Sequence, residues 1–210
     1  MPIITPGVYV ETENKPYEAE SAYYIDFQIT SALFSLGKIL NGVTENYKIF
    51  QNKYQYYHYY CDHLIFSLGQ IASRFDINDK DSSSIRERKE ANICNFAFSK
   101  EKYPMISKKT IRNTIEHIDE HNQKIIKKHR GVGGFNLIDN ETDKEVCKAL
   151  IERRNVHPYT LDLIKKQLFI MRNDVELNLN LEGLQNELLS LQKEAKNLLL
   201  YSTEMLRKDK

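Results

Sequence analysis

The run "LEGLQNELLSLQKEAKNLLLYSTEML", from about Glu182, sets Leu184, Leu188, Leu191, Ala195, Leu198 and Tyr201 at helical spacing, which predicts a strongly amphipathic C-terminal helix. Such an apolar stripe is stabilised mainly by packing against other elements, and the chain offers several candidates. From Glu18 to about Tyr47, the positions Tyr24, Phe27, Ser31, Phe34 and Ile39 fall near helical spacing, with Gly37 and Gly42 as weak points, so this stretch reads as one long helix or two short ones. A second helix is expected from about Phe50 to Phe75, with Tyr57, Tyr60, Cys61, Leu64, Leu68 and Ile71 on one stripe. The polar loop "INDKDSSS" then supplies serines able to cap a third helix, about Ile85 to Phe98, whose apolar part is Ile93, Phe96 and Ala97. "SKEKYPMISKK" reads as a connection, because Pro104 lacks an amide hydrogen and biases Tyr103 out of the helical region.

A fourth helix follows, from about Ser107 to Lys128, with Ile111, Ile115, Ile118, Asn122, Ile125 and Ile126 on a narrow core-facing stripe. "HRGVGG" ends it, with basic residues at the negative end of the helix dipole and a glycine to turn the chain. "TDKEVCKALIERR" has no clear assignment. The period then switches to two: Tyr159, Leu161 and Leu163, next Leu168 and Ile170, then "VELNLNL" alternate as short strands joined by "KK" and "RND". The expected fold is mostly α, a helical bundle of about five helices with a small antiparallel β insertion, about residues 158–181, before the C-terminal helix. Residues 1–16, which hold Pro2, Pro6, Gly7 and Pro16, read as an extended arm, and 17–210 as one helical domain without internal repeats.

Composition narrows the functional classes. At 210 residues, with 41% hydrophobic and 28% charged residues, the chain can bury a full core and needs neither disulfides nor metal to do so. Cys61, Cys94 and Cys147 are odd in number and far apart, so reduced thiols are expected. The opening "MPIITPGVYVE" has no basic region followed by an apolar run, and no window reaches the roughly 18 apolar residues of a membrane span. A cytoplasmic protein without a membrane partner is the expectation. The net charge of +1 gives no general attraction to polyanions, so any such site must be local.

The stretch "TIRNTIEHIDEH", Thr110 to His121, is the one that raises a chemical question, because it gathers an arginine, an asparagine, two histidines and three carboxylates on one helix. Asn113, His117 and His121 follow at i, i+4 and i+8 along one flank, while Arg112 can pair with Glu116 or Asp119 on the other. A solvated face with an ordinary charge pair is one coherent reading. A zinc pair is another, since His117 and His121 are four residues apart. However, the order H-I-D-E-H puts Glu120 three residues after the first histidine, so the zincin pattern is not met and no metal or other cofactor is expected.

"RNTIEH", Arg112 to His117, separates an arginine and a histidine by four residues with asparagine second, and this form resembles the signature of the higher eukaryotes and prokaryotes nucleotide-binding (HEPN) superfamily. The longer "IRNTIEHIDEH" is similar to the R-N-x-x-E-H-x-D-E-R run of some prokaryotic members, with His121 where an arginine often stands. The resemblance extends to a bundle of about five helices with the motif in a later one, over about residues 18 to 205. It implies a metal-independent endoribonuclease or RNA-binding protein, with Arg112, Asn113 and His117 as the catalytic residues. RNA is the implied substrate, and an antitoxin protein the implied partner where the setting is a toxin–antitoxin or defence system. In that chemistry a neutral histidine takes a proton from a ribose 2′-OH or gives one to the departing 5′ oxygen, while the arginine holds the phosphate. A non-catalytic interaction module of the same fold and an unrelated helical scaffold are the alternatives.

Five residues along one helix set Arg112 and His117 about 140° apart and about 7.5 Å along the axis, too far for one copy to make a tight pair. Facing fourth helices in a two-fold dimer relieve this, so a homodimer through the helix carrying Arg112 and His117 is predicted. "YQYYHYY", Tyr54 to Tyr60, could stack bases, but tyrosines on successive helical positions point all round and are better read as core and rim. "GVGG" follows a helix instead of a strand and reads as a turn.

Overall fold

The computed structural model describes residues 16–42, 50–108, 111, 135–142, 145, 159–172 and 175–208. Within them the chain is mostly helical, with a small four-stranded sheet directly before the C-terminal helix. The elements in order are α1 (Pro16–Leu40), α2 (Lys53–Ser73), α3 (Ser83–Asn95), β1 (Phe135–Ile138), β2 (Tyr159–Asp162), β3 (Gln167–Arg172), β4 (Val175–Asn180) and α4 (Leu181–Lys208). The expected count of about five helices is not met among the described residues, which hold four. The expected fourth helix falls mostly on residues 112–128, outside the described part, and so does the N-terminal arm up to residue 15. Pro16 opens α1, where its missing amide hydrogen costs nothing.

The first helix sits between the second and the last. Ala22, Ile25, Ile29, Ala32, Leu36 and Ile39 of α1 are buried in one core with Cys61, Leu64, Leu68 and Ile71 of α2 and Leu184, Leu188, Leu191 and Ala195 of α4. Polar bonds fix α1 and α2 as antiparallel neighbours: the Tyr24 hydroxyl donates to Gln70 at 2.9 Å, Ser67 to Ser31 at 3.1 Å, and the Tyr56 hydroxyl to the Lys38 carbonyl at 3.4 Å. Gln192 of α4 donates to Thr30 at 3.1 Å on the other side. The expected face of α1 is therefore corrected. Phe27 and Phe34 are 58% and 59% exposed, although Ile39 is buried as expected. The sequence of α1 is apolar around most of its circumference, so periodicity could not choose a face. The seam between three helices takes Ala, Ile and Leu side chains, and the larger rings stand at its outer edge. The helix also ends at Leu40, before Gly42, whose φ of 75° is left-handed.

α3 departs further from expectation. Its buried residues are Lys89 and Asn92, not an apolar stripe, because both side chains stitch it to the end of α2. The Lys89 ammonium donates to the Asp76 carbonyl and to the Asp81 carboxylate, each at 2.7 Å, and Asn92 donates to the Arg74 carbonyl at 3.0 Å. Phe96 is fully buried but lies just past the helix, and Ala97 is exposed. The helix closes with a Schellman turn: the Phe98 amide donates to the Ile93 carbonyl at 2.9 Å and the Ala97 amide to that of Cys94 at 3.1 Å. That turn forces Ala97 to a φ of 43°, a position that glycine ordinarily fills.

The insertion before α4 is where it was expected, but the sheet is mixed. β2, β3 and β4 form the antiparallel meander, while β1 adds to β2 in parallel, in the order β1-β2-β3-β4. "FNLI" is too short for its pattern to be distinguished from loop, which is why β1 was not foreseen. Leu137, Leu161, Leu168 and Leu179 face one another across all four strands and are all buried. That leucine row is the sheet's contribution to the core. No helix among the described residues is long and apolar enough to cross a membrane.

The left-handed alanine yields a stability test. Ala97→Gly removes the steric cost of that φ and adds only the glycine's extra chain entropy, so it should stabilise the fold by about 0.5–1 kcal/mol. Ala97→Val should destabilise it. Urea midpoints measured for the two variants should move in opposite directions from wild type.

Candidate functional site

The segment that leads into the Arg112 motif is built from local bonds. After the Schellman turn, the Lys102 amide donates to the Ser99 hydroxyl at 3.1 Å, the Tyr103 amide to the Ser99 carbonyl at 2.9 Å, and the Ser107 amide to the Tyr103 carbonyl at 3.0 Å. Pro104 has no amide hydrogen to place. The next two amides, Met105 and Ile106, find no backbone partner in this turn and are taken by Glu187 of α4, whose two carboxylate oxygens accept them at 3.1 Å. Glu187 is itself buried among Leu184, Leu188 and Leu191. Burial pushes its carboxyl above the ordinary value, while the Ile106 and Met105 amides and Lys108 pull it back. The chain then reaches Ile111, fully buried in the core, whose amide donates to the Lys108 carbonyl at 3.0 Å.

Ile111 is the first residue of the expected core stripe, and it is in the core. Arg112, Asn113 and His117, the predicted catalytic residues, lie outside the described residues, as do Glu116, Asp119 and His121. Their mutual geometry is therefore not part of the observed site.

The described residues bring together two other groups. On α2, His58 stands 3.4 Å from Asp62 through Nε2 and Oδ2, and its ring stacks on Phe135 of β1 with centroids 5.2 Å apart. Burial raises the Asp62 carboxyl, with His58 and His63 drawing it down. A histidine with an orienting carboxylate can serve as a general base, but this ring is spread against the sheet and the 3.4 Å separation is long for a charge-assisted bond. Lys53 pairs with Asp139 in the same region, so these groups act chiefly to hold α2 to the sheet. Among the described residues no three His, Cys, Asp or Glu side chains are grouped so as to hold a metal ion. The tyrosine run divides between roles: Tyr56 and Tyr57 are buried, Tyr60 is half-buried, and Tyr54 and Tyr59 are exposed. Tyr56, Tyr59 and Tyr60 meet Phe50 and one another at 4.8–6.2 Å, mostly edge to face, which is packing and not an open stacking platform. Cys61 is buried, which pushes its thiol well up and makes it inert, whereas Cys94 is exposed.

The second group is a cleft of about 210 Å³ between the end of α2, the end of α3 and the 99–108 segment. Ala72, Phe75, Ile93 and Phe98 form its apolar wall, and Asp76, Ser99, Lys100, Ser107 and Lys108 its polar side. Phe98 lies flat on Phe75 at 3.9 Å and on Tyr103 at 5.1 Å. Sequence reasoning passed over these residues because Pro104 marked the stretch as a mere connection. The signal was the repeated Ser-Lys pair, Ser99-Lys100 and Ser107-Lys108, on either side of it.

No protein-family model, curated protein or solved structure matches this chain.

The buried carboxylate gives a measurable consequence. Glu187→Ala strands two amides and should cost about 1–3 kcal/mol, read by urea unfolding at pH 7. A carboxyl with a raised folded value holds its proton more tightly in the folded chain than in the unfolded one. Between the ordinary and raised values, then, its contribution to stability falls as pH rises, and the loss is complete above the raised value. Relative to Glu187→Gln, which cannot titrate, wild type should gain stability as pH is lowered through that window. Parallel pH profiles for the two proteins would show that Glu187 is not shifted upward.

Proposed function

We propose that the chain is a metal-independent endoribonuclease of the HEPN kind, acting on RNA through Arg112, Asn113 and His117, with the full five-helix bundle of that superfamily. The observation that carries the reading is the motif "RNTIEH" set directly after Ile111, a residue held in the core at the end of a firmly bonded turn. Further support comes from the small sheet placed directly before a long amphipathic C-terminal helix, an order that some proteins of that superfamily share.

In this reading a neutral His117 takes the proton of the ribose 2′-OH, or its protonated form returns one to the leaving 5′ oxygen, and Arg112 stabilises the charge that gathers on the phosphate. The 2′ oxygen forms a bond to phosphorus as the bond to the 5′ oxygen breaks, leaving a 2′,3′-cyclic phosphate. Asn113 orients the histidine or the phosphate by hydrogen bonding. The Arg of one copy and the His of another meet across a homodimer, since about 140° on one helix separates them within a copy. The protein works in the cytoplasm, and an antitoxin partner belongs to the same reading.

His117→Ala and Arg112→Ala should each lower cleavage of total cellular RNA by about 10²-fold or more, with the melting temperature nearly unchanged. Cleavage should persist in EDTA and stop at a 2′-deoxyribose placed at the cut site. Absence of cleavage by a dimeric wild-type protein would remove the enzyme and leave the non-catalytic module of the same fold. A strictly monomeric protein in sedimentation would remove the shared-cleft mechanism.

A further inference from the structure

We propose that the outer face of the α1–α2 pair is an interface for a second copy of this chain, joined about a two-fold axis that passes beside Thr30 and Ser31 of α1. The inference goes beyond the RNA reading and uses none of the residues of its motif. The position of the face follows from the bonds between the two helices. Ser67 donates to Ser31 and Tyr24 to Gln70, so these residues mark the line of contact. At about 100° per residue, Tyr23, Phe27 and Phe34 turn to one side of that line, and the buried Ala32 and Ile39 turn to the other. Tyr59 and Phe66 of α2 stand in the same way opposite the buried Leu64 and Leu68. Antiparallel neighbours reverse the sense of rotation, so both sets fall on one surface, away from the core. Phe34 meets Tyr60 of α2 edge to face, with ring centroids 6.1 Å apart, which ties the two helices together at this surface.

Area and pattern choose the occupant. The rings of Tyr23, Phe27, Phe34, Tyr59 and Phe66 belong to residues 43–59% exposed. An aromatic side chain can bury about 150–250 Å², so the exposed halves present roughly 500 Å² on one copy and about 1,000 Å² on two facing copies, the size at which a specific interface begins. The face also complements itself. Phe27 and Phe34 lie about two helical turns apart, with Thr30 and Ser31 between them. A two-fold axis there sets Phe27 against the partner's Phe34, and the small residues leave room at the crossing. The same operation sets Tyr23 against the partner's Gly37 and the partner's Lys38. Gly37 stands inside α1, where glycine is unfavourable, and beyond its own helix backbone a Cβ there would meet no atom of the described residues within 4 Å. That gap admits a partner's ring without any shift in its own copy. Lys38 holds its ammonium 5.4 Å from the centre of the Phe34 ring, at the place where the partner's Tyr23 arrives, and a cation there can serve both rings. Two copies of net charge +1 meet with little repulsion.

The test is sedimentation equilibrium of the full-length chain at micromolar concentration, joined to cross-linking. Phe27→Glu with Phe34→Glu changes two exposed side chains and should halve the mass of the wild-type assembly, with the dissociation constant raised about 100-fold or more and far-UV circular dichroism unchanged. The second arm holds even if that pair of changes unfolds the chain. In a Cys94→Ser, Cys147→Ser background, Thr30→Cys places a thiol beside the axis, and a short bis-maleimide should join it to its own copy. Glu87→Cys, on the exposed side of α3, should stay unlinked. A wild-type monomer would overturn the inference and leave the face to a different protein. A wild-type assembly whose mass survives the glutamate pair, or one in which Thr30→Cys links no better than Glu87→Cys, would also overturn it and leave self-association to the helix of Arg112. The homodimer of the RNA reading is thus judged apart from this one, because the glutamate pair leaves Arg112 and His117 as they are, and cleavage of total RNA judges the enzyme.

Discussion

The carboxylate of Glu187 is the point on which the described architecture turns. It brings a negative charge into a leucine-lined face of α4 and offsets that cost by accepting the two amides that the Pro104 turn leaves without partners. Neither side is stable alone: amides without acceptors and a buried carboxylate without donors each carry a desolvation penalty of a few kcal/mol. Together they fasten a non-helical segment to the longest helix among the described residues. Tyr103 and Ile106 are fully buried on either side of the clamp, and the Phe75–Phe98–Tyr103 stack continues it back to α2 and the end of α3. Ile111, buried in the core and bonded back to the Lys108 carbonyl, follows this clamp in the chain.

The parts of the fold legible in the sequence were those where one face of an element decides its burial. α4 is the plain case, because Leu184, Leu188, Leu191 and Ala195 are separated from its polar residues and all four are buried. α2 behaves likewise for Cys61, Leu64, Leu68 and Ile71, and the meander of β2 to β4 was visible in its alternation. Where an element meets partners on two sides, the pattern gave less. α1 has apolar residues on nearly every face, so Phe27 and Phe34 were assigned inward although the seam holds Ile25, Ile29 and Leu36. α3 failed for the opposite reason: its attachment depends on polar bonds from Lys89 and Asn92 to α2, which no hydrophobic period reports.

The candidate site divides in the same way. The start of the motif's core stripe was readable, because Ile111 is the first of a helical series. Long-range polar pairings were not, since nothing local in "YPMIS" indicates that a glutamate some 80 positions later completes its turn. The cleft was missed for a related reason. Its aromatic wall depends on the left-handed turn at Ala97, which sends Phe96 and Phe98 toward the core in succession, and an alanine gives no sequence signal for that backbone.

Of the histidines considered for a catalytic role, His58 is one whose surroundings the described residues show. His58 has the carboxylate neighbour that a general base often uses, yet its ring is spread on Phe135 and its partner Asp62 is itself partly desolvated, with its carboxyl pushed up. A base whose orienting carboxylate resists ionisation, and whose ring is fixed between helix and sheet, is poorly placed to move a proton for a polyanionic substrate. Lys53–Asp139 beside it pairs the local cation internally, so little positive charge is left there to draw a phosphate. At the other end of α2, Lys100 and Lys108 line a cleft with Asp76, and these two lysines also draw down the Glu101 and Glu187 carboxyls. Phosphate chemistry needs positive charge that the fold has not already neutralised, and the surroundings of His58 do not supply it.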